Sequence, residues 1–114
     1  NISNIDIYNS GDKGISLGEN GKLVGHNINI SNAEIGVACK DLSNMELSNV
    51  KIGDSKVGFT VFEKKPEYGP ATININALII TNVNHPYMIE KTSNMNVDGL
   101  DIKKIDGKVE NYLY

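Results

Sequence analysis

The sequence predicts an all-β chain, a right-handed parallel β-helix (β-solenoid) of about five coils, with roughly 22 residues and three short strands in each coil. Three patterns, each recurring every 22 or 23 residues except for one step lengthened by about six, predict it. The first is a pair of aliphatic residues with one residue between: Ile5/Ile7, Ile28/Ile30, Val50/Ile52, Leu78/Ile80 and Leu100/Ile102. Their second members lie 23, 22, 28 and 22 residues apart. The second pattern is Gly14-Ile15-Ser16-Leu17, Gly36-Val37-Ala38-Cys39 and Gly58-Phe59-Thr60-Val61, with Pro86-Tyr87-Met88-Ile89 in the same frame. The third is Leu23/Gly25, Met45/Leu47, Ile73/Ile75 and Met95/Val97.

Alternation at a period of 2 makes each pair a strand, with Ile5 and Ile7 facing inward and Asp6 outward. A helix would space its apolar residues by 3 or 4. Three strands separated by bends close one coil, and strands this short bury a face only when neighbouring coils share the core. Ile2 falls in register with Leu47 and Val97, so the chain opens inside a third strand. The resulting expectation is a single segment, 1–114, that is the C-terminal part of a larger protein, with further coils or another domain upstream. In the fifth coil Val109 takes the inward position of Val37, Phe59 and Tyr87. Asn111 then breaks the pattern, and Tyr112-Leu113-Tyr114 reads as a terminal cap.

Two residues after each first pair stands a polar residue: Asn9, Asn32, Asp54 and Asn82, then Lys104. Asparagine tolerates left-handed bends and offers both a donor and an acceptor. Taken together, the pairs and this column resemble the right-handed parallel β-helix repeat proteins of the pectate-lyase-like superfamily, over nearly the whole chain. The resemblance implies that Asn9, Asn32, Asp54 and Asn82 form an asparagine ladder from coil to coil. It also implies a secreted or cell-surface location.

Composition narrows the function classes. The formal charge is −3, and all 11 basic residues are lysines. No basic stripe points to nucleic acid, and no apolar run approaches the roughly 20 residues that span a bilayer. Cys39 is the only cysteine, so no intramolecular disulfide can form; its inward position makes it a small core residue. His26 is expected in a turn, and His85 precedes a proline.

Two places could carry chemistry. A six-residue expansion between Phe62 and Ala71 would project a proline-stiffened loop in which Lys64, Lys65 and Tyr68 could contact carbohydrate by charge and ring stacking. The column Glu19, Asp41, Glu63 would place three acids in line, a set of oxygen ligands that suits Ca²⁺. Enzymes of the resembled superfamily cleave acidic polysaccharides with an arginine or lysine base beside Ca²⁺-binding acids, or with paired aspartates. This chain has no arginine and no Asp-Asp pair. The first expectation is therefore a non-catalytic structural or carbohydrate-binding module, with polysaccharide as partner. One alternative is the distal coils of a polysaccharide lyase, hydrolase or epimerase whose active site lies upstream. Another is an assembly element that self-associates through its open N-terminal end.

Overall fold

The computed structural model describes residues 1–8, 11–63 and 69–105, and these form β-strands without any helix. In chain order the strands are β1 (Ile2–Tyr8), β2 (Lys13–Leu17), β3 (Lys22–Ser31), β4 (Ile35–Lys40), β5 (Asn44–Phe62), β6 (Thr72–Ile89), β7 (Asn94–Val97) and β8 (Leu100–Asp101). Pairing is parallel throughout except between β7 and β8, and the order β1-β3-β5-β6-β7-β8 skips strands as only crossover connections can. β2 pairs with β4, and β4 in turn with β5.

The register reproduces the sequence patterns residue by residue. Ile5 stands beside Ile28, Ile28 beside Val50, and Val50 beside Leu78, which defines face A. Ile15, Val37, Phe59 and Tyr87 align on face B. Leu23, Met45, Ile73 and Met95 align on face C. Inward residues of all three faces join one buried cluster that includes Ile28, Ile52, Val37, Phe59, Met45 and Ile73. This all-β, mostly parallel arrangement around one shared core is compatible with a β-solenoid.

The strands are longer than the short segments the spacing predicts. β5 and β6 run unbroken for 19 and 18 residues through the bends between faces. The reason is that single residues make the corners. Asn32, Asp54 and Asn82 have φ of 55°, 50° and 55°, and Asn4, Asn27 and Asn49 have φ of 54°, 55° and 56°. One left-handed residue turns the chain while its neighbours keep the parallel ladder, and asparagine and aspartate adopt that conformation at the least cost among residues with a side chain. His26 consequently lies within β3 rather than in a turn, and its Nδ1 shares a 2.5 Å hydrogen bond with Ser48 Oγ.

Buried hydroxyls satisfy inward-facing backbone groups at the corners. Ser43 Oγ accepts from Gly21 N at 3.0 Å and donates to Gly18 O at 3.0 Å. Ser93 Oγ accepts from Ala71 N at 3.1 Å, and Ser55 Oγ from Ala33 N at 3.2 Å. Each hydroxyl spans two rows, so inward corner amides keep the partners that burial demands.

The fifth coil is corrected by the structure. Leu100/Ile102 was expected to add a parallel strand beside Leu78/Ile80, yet β8 turns back and pairs antiparallel with β7, Val97 opposite Leu100. Leu100 is left 72% exposed. Asp98 and Gly99 have φ of 52° and 83°, two consecutive left-handed residues that close a tight two-residue hairpin. The Asp-Gly turn overrides the aliphatic pair because its two left-handed residues reverse the chain before Leu100 can extend the parallel ladder. Asn9 and the segment 106–114, with Val109, Asn111 and the Tyr112-Leu113-Tyr114 cap, lie outside the described residues.

Candidate ligand-binding face

The outer side of face A carries exposed side-chain amides that bond from row to row. Asn27 Nδ2 donates to Asn4 Oδ1 at 2.9 Å, and Asn49 Nδ2 to Asn27 Oδ1 at 2.6 Å. Along the opposite corner Asn82 Nδ2 donates to Asp54 Oδ1 at 2.8 Å. Between the corners Asn29 Nδ2 donates to Asp6 Oδ1 at 2.9 Å. In each pair the residue later in sequence donates, so the amides point one way along the stack and each NH₂ keeps a second hydrogen for another acceptor.

Two recesses flank the face. One is shallow, open and lined by Asn32, Asp54, Ser55, Lys56, Asn82 and Asn84. A smaller one is lined by Asn27, Ile28, Asn29, Asn49 and Lys51. Across the face runs the register row Tyr8, Ser31, Gly53 and Thr81. Tyr8 is 72% exposed, a large ring standing at the head of two small residues. A Cβ placed on Gly53 would come no nearer than 3.5 Å to Thr81 O, so the backbone there has room beside it. The charges on this side are mixed: Lys56 pairs with Glu34 at 3.2 Å, both well exposed. The face therefore offers a ring, amide donors and acceptors, and small side chains between them.

Of the predicted ladder, Asn32, Asp54 and Asn82 stand in consecutive rows at left-handed corners, and the Asp54–Asn82 link is made. A second ladder, Asn4-Asn27-Asn49, and the exposed Tyr8 were not anticipated. The signal was present, since an asparagine immediately precedes three of the five aliphatic pairs. The loop residues Lys64, Lys65 and Tyr68 lie outside the described residues.

Glu19, Asp41 and Glu63 stand at the same corner in successive rows, as the backbone bonds Asn20 N to Asp41 O (2.7 Å) and Asp41 N to Phe62 O (3.2 Å) require. Their environments differ: Glu19 is exposed, Asp41 buried and Glu63 half-buried. Among the described residues no group of three His, Cys, Asp or Glu side chains could hold a metal ion, and this acidic column does not assemble one. A further acid that spacing did not single out, Glu90, is buried and accepts from Glu63 N at 3.2 Å.

Cys39 is fully buried in the shared core, its Sγ directed at Ser43 O and Thr72 O. Burial pushes the thiol up to about 12, against a smaller opposing effect of the Thr72 hydrogen bond. A raised folded-state value means the folded chain holds this proton more tightly than the unfolded chain does. The resulting stability is complete below about pH 9 and declines as pH rises from there toward about 12. A Cys39→Ala variant is expected to lose that part of the alkaline slope in denaturant titrations at pH 8–11, and native Cys39 should resist a thiol reagent at pH 8 until the chain unfolds. Prompt labelling of the folded protein would contradict the burial.

No family model, curated protein or solved structure matches this chain. Among the described residues no helix is long and apolar enough to cross a membrane.

Proposed function

We propose that the chain is a right-handed parallel β-helix module, non-catalytic, that binds carbohydrate on the outer side of face A within a secreted or cell-surface protein. The handedness is supported by sterics: parallel strands joined by a crossover connect right-handedly in about 98% of cases. The observation that carries the binding reading is the row Tyr8-Ser31-Gly53-Thr81 set between two corners of side-chain amides. A pyranose ring presents an apolar face and an equatorial rim of hydroxyls. An exposed aromatic ring accepts the first, and amides at the strand repeat of about 4.8 Å accept the second. The scaffold is preformed, since the same amides that would meet a ligand already bond to one another across rows, so little ordering cost remains on binding.

A panel of neutral and acidic polysaccharides and their oligomers, measured by calorimetry, tests this. Binding to at least one is expected, and Tyr8→Ala should weaken it about tenfold, or about 1.4 kcal/mol. Lys22→Ala, a change on the exposed side of face C, should leave it unaltered. Absence of binding across the panel would sink the proposal. Equal affinity in Tyr8→Ala would move the site off face A.

A further inference from the structure

Asn20-Gly21 is the only asparagine-glycine pair in the sequence, and two separate demands of the fold create it. Asn20 has φ of 58° at the corner between faces B and C, and Leu42, one row on, has φ of 63°. A left-handed corner favours asparagine among residues with a side chain. Gly21 must be small for a different reason. A Cβ there would lie 2.7 and 2.8 Å from the Leu17 side chain and 3.1 Å from Gly18 O. Together the two residues carry a chemistry that neither has alone. A glycine nitrogen, with no side chain beside it, can approach the side-chain carbonyl of the asparagine before it.

The side chain of Asn20 is available for that reaction. It is exposed, and among the described residues its amide makes no hydrogen bond. By contrast Asn27, Asn29, Asn49, Asn74, Asn82 and Asn96 are each tied through Nδ2 to a neighbouring row, and each is followed by a residue with a side chain. What the fold holds back at this corner is the other reactant. Gly21 N donates to Ser43 Oγ at 3.0 Å, and the fully buried Ser43 donates in turn to Gly18 O at 3.0 Å. Asn20 N donates to Asp41 O at 2.7 Å, and Gly21 O accepts from Asn44 N at 2.9 Å. The peptide between Asn20 and Gly21 is therefore fixed on both sides, and the proton its nitrogen must lose before attack lies in a hydrogen bond to a buried oxygen.

We propose that Asn20 is a site of spontaneous modification by water, and that the Ser43 hydroxyl restrains it in the folded chain. Gly21 N gives up its proton and attacks Asn20 Cγ; the new N–C bond closes a five-membered imide as the Cγ–Nδ2 bond breaks, and ammonia leaves with that proton. Water then opens the imide at either carbonyl, leaving aspartate or isoaspartate. Both products add a negative charge beside Glu19, and isoaspartate also lengthens the main chain by one carbon where Asn20 N holds Asp41 O. The inference does not depend on the carbohydrate reading, because Asn20 stands away from face A.

The test incubates the full chain at mildly alkaline pH and follows each asparagine by proteolysis and mass spectrometry, with isoaspartyl peptides separated by chromatography. Asn20 should be the first described asparagine to change, about tenfold more slowly than in a synthetic peptide of residues 17–24. Ser43→Ala should raise the rate in the full chain about tenfold, toward that of the peptide. Ser93→Ala controls for general loosening, because Ser93 Oγ accepts from Ala71 N at the same corner two rows away and does not touch Gly21. It should leave the rate at Asn20 as in the native chain. Native chain reacting as fast as the peptide would overturn the proposal, as would another described asparagine changing first. Equal acceleration by Ser93→Ala and Ser43→Ala would overturn the role given to Ser43.

Discussion

Phe59→Ala is expected to cost about 3–5 kcal/mol, the range for removing a large aromatic from a packed interior. Phe59 is fully buried and shares the central cluster with side chains from all three faces. Its ring stacks on Tyr87 in the next row, with centroids 6.1 Å apart and planes 18° from parallel. Truncation would open a cavity where the three faces meet, and neighbouring rows could not collapse into it without breaking register on face A or face C. A domain of this size holds only about 5–15 kcal/mol in total. Urea unfolding followed by circular dichroism should therefore show the midpoint falling by about a fifth or more, or no folded baseline at all. A loss below about 1 kcal/mol would mean that the three faces do not converge on this ring.

Gly58→Ala is the second large effect, and it comes from too little space rather than too much. A Cβ on Gly58 would lie 2.5 Å from Pro86 O, with Pro86 C and Cα at 3.3 and 3.4 Å. All three are backbone atoms, so relief requires moving β6 away from β5. The same column repeats the constraint, with Gly36 2.8 Å from Gly58 O and Gly14 2.7 Å from Gly36 O. Overpacking of this kind costs about 1–3 kcal/mol, with the upper end expected where backbone must shift. Gly53→Ala supplies the contrast, because its nearest neighbour would be 3.5 Å away and its conformation needs no left-handed φ. Thermal melts should separate the two substitutions by several degrees. Equal melting temperatures would show that the glycine column is not set by close approach between rows.

The rows of the fold were legible because the physics that places them is local and periodic. A pair such as Val50/Ile52 can bury both side chains only by facing one way, and a constant offset puts successive pairs beside one another. The glycine pattern was legible as a repeat, although only the structure shows its cause, the carbonyl of the next row pressing on each Gly14, Gly36 and Gly58. Three features were not read. The asparagines at Asn4, Asn27 and Asn49 stand one residue before their pairs, apart from the polar column that follows the pairs. Leu100/Ile102 satisfies the pair pattern, yet the left-handed turn at Asp98-Gly99 is the stronger local instruction. The buried outer side of face B was hidden because Ala38, Thr60 and Met88 do not read as one apolar set. Their burial is a property of packing between rows, with Ile105 beside it, which no window around them contains.

The candidate site was less legible than the fold. Spacing could align Glu19, Asp41 and Glu63 in one column, but not foresee that Asp41 would be buried while Glu19 faced water. Nor could it weigh Tyr8, whose significance depends on Ser31 and Gly53 being small in the neighbouring rows. Function on such a scaffold resides in what several rows present together.

The central claim is that residues 22 and 28 positions apart stand side by side in parallel rows around one core. Cross-row nuclear Overhauser contacts in the folded protein test it most directly. Amide and α-proton contacts should link Ile28 with Val50 and Val50 with Leu78 on face A, Val37 with Phe59 on face B, and Met45 with Ile73 on face C, all in the parallel pattern. Antiparallel contacts between these strands, or contacts displaced by one residue so that Asn29 and Lys51 face the core, would contradict it.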